Sequence, residues 1–113
     1  MIANLVQNAL KFASEAVTVE RRIEDQRNES WAVITVEDDG PGISEEDQPH
    51  VFERLYLARH TSRPKEAGSG LGLAIVAELT AAMEGRVSVI AREPSGTRFI
   101  VKLPVENPTG PEP

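Results

Sequence analysis

The chain has 113 residues, of which 40% are hydrophobic and 27% are charged, and these proportions fit one small globular domain. Its formal net charge is −6 and its pI about 4.9, so it lacks the basic surface that nucleic acids and anionic membranes attract. The absence of cysteine excludes disulfides and thiolate catalysis. No apolar run approaches the roughly 18 residues that a membrane helix needs.

Residues 2–14 have the period of an amphipathic helix. Its apolar face is made of Ile2, Leu5, Val6, Ala9 and Ala13. Asn4, Asn8 and Lys11 follow one another at i, i+4 and i+7 on the opposite face. An amide oxygen can bind Mg²⁺ and a lysine can neutralise phosphate, although an ordinary solvated helix face has the same composition.

The middle of the chain predicts a β-hairpin followed by a turn and a short helix. Residues 16–24 and 31–37 are rich in β-branched side chains, and a polar loop over residues 25–30 separates them. The turn is residues 38–42, with the sequence DDGPG. Ser44 is placed to cap a helix that we expect to run to about Tyr56. Residues 57–67 are polar and basic and predict an exposed, mobile segment.

Two stretches could bind a ligand, and each also has a simpler explanation. In residues 37–43 (EDDGPGI), a carboxylate at the end of a buried strand could accept a hydrogen bond from an exocyclic amine, but these residues also form ordinary turns. In residues 68–76 (GSGLGLAIV), three alternating glycines precede a helix whose N–H groups could hold a phosphate. A flexible connection has the same residues.

The remainder predicts a helix and a second hairpin. The helix covers residues 70–84, with Gly85 at its C′ position. Its predicted buried face is Leu71, Ile75, Val76, Leu79 and Met83. Strands are expected at residues 86–92 and 97–103, and a proline-rich disordered tail after them. The element order indicates an α+β domain, a largely antiparallel sheet with helices on one face.

Taken together and in this order, the motifs resemble those of the catalytic, ATP-binding domain of bacterial sensor histidine kinases. Residues 4–12 (NLVQNALKF) resemble the N box of that family, and residues 37–43 its G1 box. Residues 51–56 (VFERLY) resemble the F box and residues 68–76 the G2 box. Residues 95–99 (SGTRF) resemble the closing Gly-Thr-x-Phe element. The superfamily also contains DNA gyrase B, Hsp90 and MutL.

The resemblance implies a two-layer α/β sandwich of the Bergerat type, with a mixed, mostly antiparallel sheet and about three helices on one face. The ATP-binding domain would cover residues 1–104 and the tail residues 105–113. ATP and Mg²⁺ are the implied cofactors, and Asn8 is the implied metal ligand. The implied catalytic residues are Asn4, Asn8 and Lys11.

The resemblance also implies which residues contact the nucleotide. Asp38 would accept from the adenine amine, with Thr97 nearby through water, and Phe12 would flank the base. Lys11 and Asn8 would contact the phosphates. The adenine pocket would be shaped by Gly40, Gly42 and Ile43, and the lid and its phosphate contacts by Gly68, Gly70, Leu71 and Gly72.

The resemblance implies cytoplasmic phosphoryl transfer to a histidine on a dimerisation helix, followed by a response regulator. An amide stands at Asn4 where hydrolysing relatives carry an acid, which favours transfer over hydrolysis. Leu57 stands where many members carry an arginine, and the strand and helical turns that precede the N box in the family are absent, which predicts an exposed sheet edge. His50 and His60 lack the acceptor context. Two alternatives are an anti-sigma-factor type serine kinase and a docking module that does not bind ATP.

Overall fold

The computed structural model describes residues 2–54, 56 and 72–105, except for the side chains of Lys11 and Phe12. Its elements are α1 (Ile2–Phe12), β1 (Val17–Gln26), β2 (Glu29–Asp38), a 3-10 turn (Gln48–His50), α2 (Gly72–Ala82), β3 (Arg86–Ala91) and β4 (Thr97–Val105). The strands form one antiparallel sheet in the order β1-β2-β4-β3. The predicted fold class is confirmed, with two α-helices and one 3-10 turn among the described residues.

The core lies between the sheet and both α-helices. The register pairs Val36 of β2 with Phe99 of β4, and both side chains are fully buried. Leu5 of α1 and Val76 of α2 join the same cluster, so both helices cover one face of the sheet. Alternation along the strands therefore places every second side chain under the helices. The predicted apolar face of α1 is confirmed at its centre, where Leu5 and Ala9 are fully buried.

The first hairpin turns in two residues, so the predicted six-residue loop at 25–30 is wrong. Arg27 and Asn28 both have positive φ, +47° and +69°, as a type I′ turn requires. The polar residues on either side belong to the strands instead, and the Ser30 hydroxyl donates to Asp25 Oδ1 at 2.6 Å. Polarity alone therefore did not separate an exposed strand from a loop.

The edge strand β1 leaves apolar surface uncovered on the helix side of the sheet. Among the described residues β1 pairs with β2 alone. Val19 and Ile23 are 50% and 61% exposed, although they alternate with the same period as the buried positions of β2. The helix side of β1 is therefore an exposed apolar edge in the described part of the chain.

The helix predicted from Ser44 to Tyr56 is wrong. Ser44 does cap a turn, since its Oγ accepts from the Asp47 N–H at 3.2 Å, but only Gln48–His50 continue it, as a 3-10 turn. Pro49 stands at its start and has no N–H to donate. Phe52 contacts Phe99 edge-on at 6.0 Å, whereas Tyr56 stacks on His50 and donates its hydroxyl to Asp47.

The buried face of α2 differs from the predicted one. Leu73, Ala74, Val76 and Thr80 are buried, whereas Ile75, Leu79 and Met83 are each more than 40% exposed. The helix is apolar on nearly every side, so periodicity could not choose its face. Thr80 satisfies its hydroxyl internally by donating to the Val76 carbonyl at 2.6 Å. Leu71 lies outside the described residues.

Two element ends also move. Glu84 has a positive φ, and the Gly85 N–H reaches the Thr80 carbonyl at 2.9 Å, which makes Glu84 the C′ residue and Gly85 the C″ residue of a Schellman motif. The β4 strand continues to Val105, beyond the expected residue 103. Pro104 is tolerated because β3 begins at Arg86, opposite Lys102, and pairs with no residue of β4 beyond it. No helix within the described ranges is long and apolar enough to cross a bilayer.

We predict that Val76→Ala destabilises the domain by about 2 kcal/mol, whereas the neighbouring Ile75→Ala costs less than about 1 kcal/mol. Val76 is fully buried and Ile75 is 42% exposed. Urea unfolding followed by the fluorescence of Trp31, the single tryptophan, measures both. Equal losses of unfolding free energy in the two variants would contradict this orientation of α2 and would support the buried face predicted from the sequence.

Candidate nucleotide-binding site

A buried carboxylate ends the central strand β2. Asp38 is the last residue of the strand and is only 3% exposed, and its Oδ1 accepts from the Gly40 N–H at 2.9 Å. The register pairs it with Thr97, the first residue of β4, which is 5% exposed and points to the same face. The sheet therefore presents a carboxylate and a hydroxyl side by side at one end, on the face that the helices cover.

Burial raises the pKa of the Asp38 carboxyl above its usual value. The Gly40 N–H acts in the opposite direction, and the Asp39 charge adds to the rise. A carboxylate in such surroundings has lost much of its hydration and accepts hydrogen bonds from few protein donors in its place. A ligand that supplied another donor would therefore gain a strong hydrogen bond at this position.

Two glycine turns stack on one another beside the end of β2, and one of them packs against the backbone of Asp38. Gly96, in the turn between β3 and β4, has φ +113°, and a Cβ there would lie 1.9 Å from the Asp38 carbonyl oxygen. Gly42 has φ +84°, and a Cβ there would lie 3.1 Å from the Gly96 carbonyl oxygen. Only glycine satisfies both the conformation and the contact at Gly96. The two turns thus form one continuous backbone wall beside the carboxylate.

The neighbouring carboxylate has a different set of partners. Asp39 accepts from the backbone N–H groups of Ser14, Glu15 and Ala16 at 2.8–3.1 Å. These bonds hold the pKa of Asp39 below its usual value, the reverse of Asp38. Residues 14–16 connect α1 to β1, so Asp39 ties the end of α1 to the end of β2.

A third acidic residue, Glu37, bridges two arginines. Its carboxylate contacts Nε of Arg98, its partner in the register, and Nε of Arg92 at 3.5 Å. The Arg92 N–H also donates to the Gly96 carbonyl at 3.1 Å. The charge pairs therefore hold the β3–β4 turn in place behind Asp38. Sequence reasoning missed them, because only the strand register brings residues 37 and 98 together.

The other end of the candidate site lies where α1 meets α2. Gly72 is the first residue of α2, and a Cβ there would lie 4.0 Å from Cβ of Asn4. Asn4 and Asn8 are both partly buried on the polar side of α1. Asn4 therefore lies close to a helix N-terminus, which carries unpaired N–H groups and partial positive charge.

Comparison with known proteins identifies the family of the chain. The family model of the histidine kinase-, DNA gyrase B- and HSP90-like ATPases matches residues 1–107. The chain belongs to this family.

The relatives of this ATPase domain are sensor histidine kinases. It is 40% identical over 111 residues to signal transduction histidine-protein kinase AfsQ2 of Streptomyces coelicolor, covering 98% of the chain and 20% of that protein. It is 38% identical over 104 residues to sensor histidine kinase YcbM of Bacillus subtilis, covering 91% and 32%. The chain thus spans only a fifth to a third of these relatives.

Solved structures of the same kind superpose well on this ATPase domain. The mycobacterial sensor histidine kinase MprB gives a TM-score of 0.71 at 33% identity, over 91% of this chain and 68% of that one. Full-length ShkA in complex with AMPPNP gives 0.67 at 31% identity, over 90% and 20%. The fold and the identity together establish a catalytic domain of the sensor histidine kinase type.

The structure of the ATPase domain brings some predicted site residues together and leaves others open. Asp38, Thr97, Gly40 and Gly42 meet at one end, and Asn4, Asn8 and Gly72 lie along α1 and its contact with α2. Ile43 packs against the core cluster. The positions outside the described part are Gly68, Gly70, Leu71 and the side chains of Lys11 and Phe12.

The geometry suits an elongated ligand with different chemistry at its two ends. Asn4 and Phe12 are separated by about 12 Å of rise along α1. Near Phe12, the α1–β1 connection meets the β2 end with its carboxylate, and near Asn4 an amide meets a helix N-terminus. No three His, Cys, Asp or Glu side chains of the described ranges converge into a metal cluster.

We predict that Asp38→Asn makes the ligand-free domain more stable at neutral pH. Because burial raises the pKa of Asp38, folding favours the protonated carboxyl. The contribution of this preference to stability is complete only below the unfolded pKa of about 3.9. That contribution is lost as pH rises through the folded pKa, whereas Asn stays neutral throughout. Urea midpoints of both proteins from acid to neutral pH should converge at low pH and separate above it. A variant less stable than the natural chain at neutral pH would contradict this.

Proposed function

We propose that this domain binds Mg·ATP and donates the γ-phosphate to a histidine on a separate dimerisation helix. The observation that carries the proposal is the buried Asp38 carboxylate, which stands beside Thr97 inside two glycine turns. Membership of the ATPase family and the AMPPNP complex of the neighbour ShkA support it.

Recognition of the base rests on Asp38. Adenine presents an exocyclic amine, a donor, where guanine presents a carbonyl oxygen, an acceptor. A desolvated carboxylate accepts from the amine and is mismatched with the oxygen, so the same atom gives affinity and selectivity. Thr97 would assist through water and Phe12 would flank the ring. Gly40, Gly42 and Ile43 would line the pocket.

Recognition of the phosphates rests on α1 and the start of α2. Lys11 would neutralise phosphate charge, and Gly70, Leu71 and Gly72 would donate backbone N–H groups, with Gly68 as part of the lid hinge. The amide oxygen of Asn8 fits a divalent cation, and Mg²⁺ when bound would screen the charge of the phosphates. The contact between Gly72 and Asn4 supports this assignment, because it brings the two motifs to one place.

Asn4 indicates transfer to a protein acceptor instead of hydrolysis. An amide cannot take a proton from water, so Asn4 can orient a group but cannot act as a general base. Phosphoryl transfer needs mainly positioning and charge stabilisation from the protein, which α1 and α2 are placed to supply. The acceptor histidine would belong to a dimerisation domain of the longer protein or of another chain, in the cytoplasm. A response regulator would receive the phosphoryl group next.

We predict that Asp38→Asn weakens ATP binding by about 1–3 kcal/mol and reduces the preference for ATP over GTP. The amide NH₂ repels the adenine amine and can donate to the guanine oxygen. Calorimetric titration with both nucleotides measures the two affinities. Since a ratio of affinities does not depend on the folded fraction, it separates recognition from stability.

The matched control is Asp25→Asn, the same chemical change in the exposed first hairpin. There the carboxylate accepts from the Ser30 hydroxyl, and an amide oxygen can do the same. ATP affinity should be unchanged in this control. Equal ATP affinity in Asp38→Asn and the natural chain would remove the adenine assignment, and a natural chain that does not bind ATP would favour the docking module.

We predict that Asn8→Ala removes most of the Mg²⁺ dependence of ATP binding. In the natural chain, EDTA should lower ATP affinity by roughly tenfold or more, because a cation held by Asn8 would screen the charge of the phosphates. In Asn8→Ala the affinities with and without EDTA should be nearly equal. Gln7→Ala alters an exposed amide one residue away and should keep the full effect of EDTA. An equal EDTA effect in Asn8→Ala and the natural chain would exclude Asn8 as the ligand.

A further inference from the structure

Asp38 is the last residue of β2 and Asp39 follows it, and the proposed nucleotide contact accounts for Asp38 alone. Asp38 is buried with a raised pKa, whereas Asp39 lies at the surface end of the strand with a lowered pKa. Asp39 accepts from three successive N–H groups of a segment that lies 23 to 25 residues earlier in the chain. Such a concentration of bonds on one side chain calls for a function.

The three N–H groups belong to the segment that joins α1 to β1. Before it, the Ala13 N–H still donates to the Ala9 carbonyl, in the helical pattern. After it, Val17 is paired with Asp38 in the sheet. Residues 14–16 therefore lie between the helix and the sheet, and the Asp39 carboxylate is the acceptor that their N–H groups find.

The bonds fix the end of α1 relative to the end of β2. Ser14 and Glu15 donate to Oδ1 at 2.8 and 2.9 Å, and the remaining contacts, two of them to Oδ2, are at 3.1 Å. Both carboxylate oxygens are used, so the side chain sets an orientation as well as a distance. Bonds to an ionised acceptor are stronger than neutral ones. The last turn of α1 is thereby held next to Asp38.

We propose that Asp39 is a positioning residue for the nucleotide site. By clamping residues 14–16 it holds the last turn of α1, with Lys11 and Phe12, at a fixed place beside the Asp38 carboxylate. The inference rests on the proposed function, because it assigns the two sides of one pocket to β2 and α1. Asp39 itself touches the connecting segment and acts on the ligand through it.

A positioning role differs from a purely structural one in what the folded protein does. If Asp39 only stabilised the fold, its loss would lower the urea midpoint and leave the affinity of folded molecules unchanged. If it positions α1, the folded protein should bind ATP more weakly, because small displacements of binding groups are costly. The fluorescence of Trp31 reports the folded fraction in the same samples.

The test compares Asp39→Ala, Asp39→Asn and the control Glu45→Ala in the whole chain. Glu45 is an exposed carboxylate after the same glycine turn, so its loss changes the charge equally. We expect Asp39→Ala to bind ATP about tenfold more weakly at full folding, and Glu45→Ala to bind like the natural chain. Asp39→Asn keeps an oxygen at the Oδ1 position, where all three N–H groups donate, and should recover most of the affinity.

Amide hydrogen exchange supplies a second measurement that does not need the alanine variant to fold. Exchange at Glu15 and Ala16 should be slow in the natural chain and faster in Asp39→Asn, which loses their Oδ2 acceptor, whereas Ser14 donates to Oδ1 alone and should keep its slow exchange. Unchanged exchange at Glu15 and Ala16 in Asp39→Asn would overturn the two-oxygen clamp.

The two proposals fail in different ways. Undiminished ATP affinity in folded Asp39→Ala, beside a natural chain that binds ATP, would overturn the positioning role and leave the proposed function standing. If Asp39→Asn bound ATP as weakly as Asp39→Ala, the effect would come from the lost charge, and this result would also overturn the clamp. A natural chain that does not bind ATP would overturn both.

Discussion

The close approach of the β3–β4 turn to the end of β2 is the constraint on which the site depends. Gly96 packs onto the carbonyl of Asp38 so tightly that no Cβ fits between them. This contact sets the register in which Thr97 begins β4 directly opposite Asp38. The Glu37 bridge to Arg92 and Arg98 holds the same turn from the other face of the sheet. This wall of the candidate site is therefore formed by backbone atoms, and its shape does not depend on side-chain rotamers.

Asp38 and Asp39 are neighbours at the end of β2, but their carboxylates meet different surroundings. Asp38 faces the covered side, where burial makes its charge costly and its acceptor oxygens valuable to a ligand. Asp39 meets a row of N–H groups that favour its charge. Burial of the first carboxylate therefore reduces stability at neutral pH, which the proposed function explains by recognition of a ligand, and the second carboxylate contributes stability. Destabilised groups of this kind are typical of functional sites.

The sequence predicted the strands and the motif positions more accurately than the buried face of α2 and the turns. The β-branched runs placed all four strands, because their period matches an extended chain with one covered face. The predicted buried face of α2 was wrong at Ile75, Leu79 and Met83, since an evenly apolar helix has no periodic signal that identifies its buried side. The segment from Ser44 failed for another reason, because Pro49 and local capping stopped a helix that composition favoured.

The sequence by itself determined the family, the α+β class and the identity of the candidate donors, because motif order and strand period are properties of the linear chain. Only the tertiary structure decided how those donors are used. It brought Asn4 to Gly72, Glu37 to Arg98 and Asp39 to residues 14–16, contacts between parts of the chain that lie 23 or more residues apart. Such pairings arise from the sheet register and helix packing, in which non-local burial and hydrogen bonding outweigh local preference.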